Sequence, residues 1–284
     1  MIEFTKWHGT GNDFVVIDCT EKNPVAQENR ADFAKKFCDR HFGIGADGIL
    51  FIDNSTAADF RMRIVNADGS EAEMCGNGIR CVAKYLFDSK KVTTPEFKIE
   101  TGAGILIPKV NGDTVTVDMG EPILEGDKIP VAGFGMNRVI DEEIEVEHEK
   151  FRMTCVSMGN PHCVIFVDDA EKFPIEKLGT HFEHHEKFPR KINTEFVQIL
   201  DRKKIRMRVW ERGAAVTLAC GTGACATTVA GILNNYLDKT VVANLPGGKL
   251  KIEWQGSLSD TNHDVYLTGR ADYSFEGYFY LKNS

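Results

Sequence analysis

The sequence predicts an α+β protein built from two diverged copies of one domain. Residues 61–78 and 206–223 follow one plan, since each segment opens with Arg-Met-Arg and closes with Cys-Gly-x-Gly. Polar and apolar residues alternate at the start of each segment, which is typical of a half-buried strand, and apolar residues at helical spacing follow each cysteine. A repeated plan of this kind indicates an internal duplication. We therefore expect one prominent helix per repeat among many strands.

Strand-like runs occur along the whole chain and set the order of the predicted elements. They lie at residues 2–4, 15–17, 49–52, 61–64, 97–99, 115–119, 163–167, 196–200, 206–209, 250–254 and 278–281. The runs at 15–17 and 163–167 each follow a Gly-Asn-x-x turn, at Gly11 and Gly159, which again matches the two halves. A turn at 120–122 predicts the domain boundary. The predicted domains are 1–120 and 121–264, and the C-terminal strands in 265–284 are expected to return to the first domain.

Length, composition and charge exclude several classes of protein. The chain has 284 residues, of which 42% are hydrophobic, so it can fill two cores. Its formal net charge of −8 gives no support for a nucleic-acid surface. No apolar run approaches membrane-spanning length, and the N-terminus shows no charged-then-apolar leader. We expect a cytoplasmic enzyme that acts on a small molecule and binds neither nucleic acid nor membrane.

The repeated cysteines, Cys75 and Cys220, are the candidate catalytic residues. Each is predicted at a helix N-terminus, where the Gly-x-Gly that follows exposes backbone N–H groups to an anion such as a carboxylate. A helix N-terminus also lowers the pKa of a thiol from its free value of about 8.5. Two thiols on opposite sides of one carbon could move a proton from one face to the other. The alternative, two buried and inert cysteines, is disfavoured because the motif is repeated.

The other cysteines and the histidines are given structural interpretations. Cys81 and Cys225 lie more than one turn into the predicted helices, where packing is the expected role. No Cys-x-x-Cys spacing is present, so we predict reduced thiols and no metal site. The group His181, His184 and His185 is interpreted as a solvated loop.

Six motifs together resemble the signatures of the diaminopimelate epimerase family. They are His8-Gly-Thr-Gly-Asn12-Asp-Phe14, Asn66-Ala-Asp-Gly-Ser70, Met74-Cys-Gly-Asn-Gly-Ile-Arg80, Gly159-Asn-Pro-His162, Glu211-Arg-Gly213 and Ala219-Cys-Gly-Thr-Gly-Ala224. The resemblance implies a cofactor-independent isomerase that interconverts LL- and meso-diaminopimelate, a precursor of lysine and peptidoglycan. It also implies two pseudo-symmetric domains, each a curved, mostly antiparallel sheet around a central helix, with the active site in the interdomain cleft. A homodimer is the expected assembly.

The resemblance also assigns roles to individual residues. Cys75 and Cys220 are the acid–base pair, with His162 and Glu211 as their polar catalytic neighbours. The predicted substrate-binding residues are Asn12, Asn66, Gly76, Asn77, Asn160, Asn193, Glu211, Arg212, Gly221 and Thr222. An arginine can hold a carboxylate bidentately, and asparagines can both donate to and accept from a zwitterion.

This chain departs from the family pattern at two places. Ala215-Val216 replaces the Gly-Glu of many relatives, and Gly48 stands where some relatives have a glutamine in the substrate site. Two other functions remain open from the residues alone. One is another two-cysteine racemase or epimerase, for example one acting on proline-type substrates. The other is a thiol redox or sensor protein that forms a reversible disulfide between the two cysteines.

Overall fold

The structure, a computed structural model, describes residues 1–280. The strands are β1 (Ile2–Gly9), β2 (Asn12–Asp18), β3 (Gly48–Asp53), β4 (Phe60–Asn66), β5 (Glu71–Ala72), β6 (Ile99–Thr101), β7 (Gly104–Leu106), β8 (Lys109–Asn111), β9 (Thr114–Asp118), β10 (Glu142–Val146), β11 (Glu149–Ser157), β12 (Pro161–Phe166), β13 (Asn193–Asp201), β14 (Lys204–Glu211), β15 (Ala215–Thr217), β16 (Thr240–Leu245), β17 (Gly248–Trp254), β18 (Val265–Arg270) and β19 (Asp272–Phe279). The helices are α1 (Arg30–Phe37), α2 (Gly76–Asp88), α3 (Ile175–Glu183) and α4 (Gly221–Leu233), with a short 3-10 helix at Gln27–Asn29.

The first unit consists of Met1–Val117 together with the chain from Gly269 onward. Its sheet has the strand order β19-β1-β2-β3-β4-β6-β7, with β5 beside β4. Only β2–β3 and β4–β6 are parallel pairs, so the sheet is mostly antiparallel. Helix α2 packs on β1, β2, β3 and β4. Its apolar residues Ile79, Val82 and Leu86 are fully buried, as expected for the face of a helix that lies on a sheet.

The second unit, Asp118–Thr268, repeats this arrangement. Its strands follow the order β10-β11-β12-β13-β14-β16-β17-β18, with β15 beside β14. The parallel pairs are β12–β13 and β14–β16, at the places equivalent to those of the first sheet. Helix α4 packs on β11, β12, β13 and β17. The predicted two-domain α+β class, with a central helix in each domain, is confirmed.

The observed limits of the units differ slightly from the predicted ones. The break falls between Val117 and Asp118 rather than at residue 120, and the second unit extends to Thr268 rather than 264. Strand β19 pairs with β1, whereas most of β18 lies in the second unit, beside β17. Residues 281–284, which include the end of the strand predicted at 278–281, lie outside the described residues.

Helix α3 corrects the interpretation of the histidine-rich segment. His181 lies inside this helix and His184 is its C-cap. The segment is helical because Ile175, Leu178 and Phe182 recur at helical spacing and are all buried.

Within residues 1–280, the helices are all too short or too polar to cross a membrane.

Candidate active site

Cys75 is the N-cap residue of α2, as the sequence predicts. Its backbone is extended, and its Sγ atom accepts a hydrogen bond from the N–H of Gly78 at 3.4 Å. The same sulfur lies 3.6 Å from Oδ1 of Asn12, which accepts the thiol proton. The thiol therefore sits at the positive end of the helix, where the first-turn N–H groups have no partner within the helix.

The amide of Asn12 has a fixed orientation. Its Nδ2 donates to the carboxylate of Asp47 at 2.7 Å, so its Oδ1 must face the opposite side. On that side Oδ1 accepts from Nδ2 of Asn77 at 3.2 Å as well as from Cys75. Arg40 bridges the carboxylates of Asp13 and Asp47 and holds this acceptor in place. The sequence identified Asn12, Cys75 and Asn77, and the structure brings them together; Asp47 and Arg40 were missed.

Arg80 stabilises the first turn of α2 by hydrogen bonds. It is fully buried and donates to the backbone oxygen of Gly76 at 2.9 Å and to Oδ1 of Asn77 at 2.8 Å. The side chain of Asn77 is thus part of the support of the turn, which leaves the backbone N–H groups as the groups that can face a substrate.

Asn66 and Gly48 lie opposite each other at the paired ends of β3 and β4. Nδ2 of Asn66 donates to the Ser70 hydroxyl at 3.0 Å. A Cβ atom on Gly48 would lie 2.8 Å from the backbone oxygen of Val65. The backbone here is therefore adapted to glycine, and a longer side chain at position 48 would require β4 to shift.

Cys220 is the N-cap residue of α4 and repeats the geometry of Cys75. Its Sγ atom accepts from the N–H of Gly223 at 3.3 Å and lies 3.4 Å from the hydroxyl oxygen of Thr222. The side chain is buried, with 6% of its surface exposed. Both predictions that place a cysteine at a helix N-terminus are confirmed.

The predicted low pKa is wrong for Cys220. Burial raises the pKa of this thiol well above its ordinary value, and the negative charges of Glu211 and Glu195 raise it further. The hydrogen bonds from Thr222 and Gly223 act in the opposite direction but are weaker. Desolvation disfavours the thiolate more than the helix terminus favours it. Cys220 is therefore a thiol in the substrate-free protein and needs a proton acceptor.

Glu211 is placed to be that acceptor. It ends β14 and accepts a hydrogen bond from the hydroxyl of Thr217. The Cys220 thiol also interacts with its carboxyl and helps to lower the pKa of that group. Burial raises the pKa of its carboxyl, and repulsion from Glu195 adds to the rise, while Thr217, His162 and Cys220 partly offset it. A raised carboxyl pKa brings this acid closer in strength to the thiol, which eases proton exchange between them.

His162 completes the polar group around Cys220. It pairs with Glu195, a residue that the sequence analysis missed. Its Nδ1 lies 2.7 Å from Oε1 of Glu195 and its Nε2 lies 3.0 Å from Oδ1 of Asn160. Both members of the His162–Glu195 pair are fully buried. Ligand-type atoms of His162, Glu195 and Cys220 lie within 4.8 Å of one another, a set that could also hold a soft divalent metal. The hydrogen bond between His162 and Glu195 occupies one of the ligand-type atoms of each residue.

Asn193 and Arg212 interact with each other rather than with the cysteine. Oδ1 of Asn193 accepts from the backbone N–H of Arg212 at 2.9 Å, and its Nδ2 donates to the backbone oxygen of Pro161 at 2.7 Å. Asn193 is buried and ties the loop after β14 to the start of β12. The guanidinium of Arg212 is exposed and donates to the backbone oxygen of Arg190 at 3.2 Å. Its charge remains accessible to a substrate.

The departure at Ala215 has a structural consequence. Ala215 has a φ of +59°, in the left-handed region that favours glycine. We expect Ala215→Gly to raise the free energy of unfolding by about 1 kcal/mol, because the Cβ strain is removed. Urea denaturation measures the change. Ala214→Gly is the matched control, since it lies outside the left-handed region and should lose stability; equal effects of the two changes would contradict the strain argument.

Comparison with known proteins gives a consistent result. A family model described as Diaminopimelate epimerase matches residues 4–125 and 154–274. A curated relative with that name from Acetivibrio thermocellus is 48% identical over 283 residues, covering 97% of this chain and 98% of the relative. Another, from Agathobacter rectalis, is 51% identical over 287 residues, covering 97% and 98%.

Solved structures share the fold at much lower identity. A PhzF-family phenazine biosynthesis protein from Bacillus anthracis has a TM-score of 0.71 at 17% identity, with 99% of each chain covered. A hydroxyproline epimerase from Agrobacterium vitis, with bound trans-4-OH-L-proline, has a TM-score of 0.68 at 15% identity, covering 97% of this chain and 90% of that one. These two structures support the fold alone.

Proposed function

The chain belongs to the diaminopimelate epimerase family, and from this premise we propose that Cys75 and Cys220 are the two bases that invert the α-carbon of diaminopimelate. As a member of this family, the protein is an isomerase that interconverts the LL and meso forms. One observation carries the proposed mechanism: two cysteines are N-caps at equivalent places in a duplicated fold, each with the N–H of the third residue on its sulfur. Inversion by two bases requires one sulfur on each face of the substrate carbon.

The helix termini supply the stabilisation that an amino-acid carbanion needs. The α-carboxylate would accept hydrogen bonds from the backbone N–H groups of Gly76 and Asn77 in α2 and of Gly221 and Thr222 in α4. Negative charge that develops when the α-proton leaves would then be shared with the positive ends of two helices. Fixed dipoles are most effective where water is excluded from the reacting groups.

Proton transfer follows from the neighbours of each sulfur. In one direction the Cys220 thiol passes its proton to Glu211, and the resulting thiolate removes the α-proton. The Cys75 thiol, whose proton points to Asn12 at rest, delivers its own proton to the opposite face. One C–H bond breaks and one forms, which leaves Cys75 as the thiolate and Glu211 protonated. The reverse direction starts from this state with the roles of the two sulfurs exchanged, and proton exchange with solvent restores the resting state. Two sulfurs held near one carbon would add the rate contribution of proximity.

Thr217 offers a test of the role of Glu211 through pH. The Thr217 hydrogen bond lowers the pKa of Glu211, so Thr217→Val should raise that pKa. Because the carboxylate is the active form, activity is lost as pH falls through this pKa, and the acidic limb of the kcat/KM profile should move to higher pH. Thr217→Ser keeps the hydroxyl and should retain the wild-type limb. A limb that does not move in Thr217→Val would exclude Glu211 as the titrating group.

The other end of the substrate carries a second ammonium and carboxylate. We assign the exposed guanidinium of Arg212 to that carboxylate, and the amides of Asn66 and Asn160 to the polar groups beside it. Asn193 would act indirectly, since it anchors the backbone of Arg212. Glu211 would contribute its carboxylate to the ammonium at the reacting end until it accepts the Cys220 proton. These assignments complete the proposed contacts with a zwitterionic substrate.

Location and assembly follow from the same premise. We propose a cytoplasmic location, since the reaction of the family acts on a small precursor of lysine and peptidoglycan. We propose a homodimer formed through β19, an edge strand that exposes the aromatic residues Tyr273, Phe275 and Tyr278. An exposed, apolar edge strand is a template for pairing with a second copy of itself. Light scattering of the purified protein should give twice the mass of the chain.

Incubation with LL-diaminopimelate in deuterated water tests the function directly. Formation of the meso isomer with one deuterium at the inverted α-carbon is expected, because the delivered proton comes from a thiol that exchanges with solvent. Proline and trans-4-hydroxyproline are the comparison substrates for the proline-type alternative. A disulfide substrate with a dithiol tests the redox alternative. Turnover of either, without turnover of diaminopimelate, would reject the proposed function.

A further inference from the structure

The two repeats carry different residue pairs at the same buried place. Leu50 is opposite Ile64 in the first sheet, and Glu195 is opposite Val209 in the second. Ile64 and Val209 occupy the same place in the repeated segments, so Leu50 and Glu195 are equivalent. Phe14 and His162 are equivalent for the same reason. On the parallel neighbouring strand, Phe14 pairs with the residue two places before Leu50, and His162 pairs with the residue two places before Glu195. The first repeat thus has Phe14 and Leu50 where the second has His162 and Glu195.

The fold does not require the polar pair. Leu50, His162 and Glu195 are each fully buried, and Phe14 is 3% exposed. The first unit fills this space with apolar side chains alone, although it has the same strand pairing and the same helix. A buried carboxylate and imidazole lose their hydration and are costly unless they are well paired. Their presence in one repeat only indicates a chemical role on that side.

The glycine at the third position of each helix marks the same contact. A Cβ on Gly78 would lie 3.1 Å from Cδ2 of Leu50, and a Cβ on Gly223 would lie 2.5 Å from Oε1 of Glu195. The absence of a side chain at 223 therefore lets the carboxylate reach the first turn of α4, beside Cys220. Oε2 of Glu195 is buried and has no hydrogen-bond partner among residues 1–280. The carboxylate of Glu195, with Oε1 paired to His162 and Oε2 without a hydrogen-bond partner among the described residues, is thus held at the positive end of this helix.

We propose that Glu195 is a positioning residue that fixes the ring of His162 and makes the Cys220 side of the site chemically different from the Cys75 side. This inference rests on the proposed function. Oε1 of Glu195 accepts the proton on Nδ1, which turns Nε2 toward Asn160. The first repeat has the apolar residues Phe14 and Leu50 at these two places. The carboxylate of Glu195 also acts on Cys220, whose pKa it raises together with Glu211.

The double change His162→Phe/Glu195→Leu transfers the pair of the first repeat into the second. We expect a folded protein whose Tm equals or exceeds that of the wild type, because an apolar pair already fills this place in the first unit. We expect kcat to fall at least 100-fold. Thr194→Val is the matched control, since Thr194 neighbours Glu195 on β13, is fully buried and has an unpaired hydroxyl among the described residues. Its kcat should stay within twofold of wild type. Full activity of the double variant would overturn the proposal.

A single change and a spectroscopic measurement keep the test valid if the double variant does not fold. Glu195→Gln should lower kcat about tenfold and leave KM within twofold, because the ring and not the substrate contacts is affected. In substrate-free protein labelled with ¹⁵N-histidine, the His162 signals should show a protonated Nδ1 in the wild type and lose this single state in Glu195→Leu. Comparison with His162→Gln assigns the signals. Unchanged His162 signals in Glu195→Leu would overturn the positioning role even if the wild type proved inactive on diaminopimelate, so the two failures are distinguishable.

Discussion

Cys75→Ala and Cys220→Ala should each lower kcat for epimerisation of LL-diaminopimelate by about 10²–10⁴-fold, the range expected when a general acid or base is lost. Inversion needs one group to remove the α-proton and a second group to deliver a proton to the other face. Each single change removes one of these groups and leaves the other in place. Chromatographic separation of the LL and meso isomers over time measures the rate. KM should change little, since neither thiol is assigned a ground-state contact with the substrate.

The control for these changes is present in the same helices. Cys81 and Cys225 are fully buried cysteines that lie further along α2 and α4. Cys81→Ala and Cys225→Ala remove a sulfur of the same type without touching the N-caps, so both variants should turn over at rates near wild type. A Cys75 or Cys220 variant that retains full activity would reject the two-thiol mechanism. Loss of activity in all four variants, with lowered Tm, would indicate a packing effect.

Glu211→Gln should lower kcat by about 10²-fold or more, because Cys220 then lacks the carboxylate that accepts its proton. Burial already disfavours the Cys220 thiolate, so the remaining helix-terminal hydrogen bonds are insufficient to generate it near neutral pH. The acidic limb assigned to Glu211 should also disappear from the pH profile. Initial rates measured from pH 5 to pH 9 show both effects.

Glu176→Gln serves as the control for that substitution. Glu176 lies in the same unit and forms a salt bridge with Arg208 at 2.7 Å, remote in role from the cysteine. An exposed pair of this kind contributes about 0–1 kcal/mol, so the variant should keep both wild-type activity and the wild-type pH profile. Retention of the acidic limb in Glu211→Gln would mean that another group accepts the proton.

The positions of the two thiols could be predicted because they depend on local sequence. A cysteine followed by Gly-x-Gly and by apolar residues at helical spacing specifies an N-cap without reference to distant residues. Repetition of that motif at Cys75 and Cys220 then distinguished the two catalytic candidates from Cys81 and Cys225. The strand-rich α+β class followed in the same way from short alternating runs.

Properties that depend on packing could not be predicted in this way. Glu195 was missed because it is polar and precedes an apolar run, so the strand was predicted to begin after it. An ungapped alignment of the two repeats reveals it, since this alignment matches Glu195 with Leu50. The raised pKa of Cys220 depends on burial and on two carboxylates brought in by β13 and β14. The role of Asp47 depends on which way the amide of Asn12 turns, and that is decided by a hydrogen bond across the fold.

The pairing of β19 with β1 makes the two repeats unequal as independent proteins. The second repeat is one continuous stretch of chain, whereas the first is completed by a strand from the far end of the polypeptide. A fragment that stops at residue 117 would lose the aromatic contacts of Phe4 with Phe275 and Phe279 and leave β1 as a bare sheet edge. Such a fragment is expected to aggregate. A circular permutant that joins the native ends would make the first unit one continuous stretch of chain.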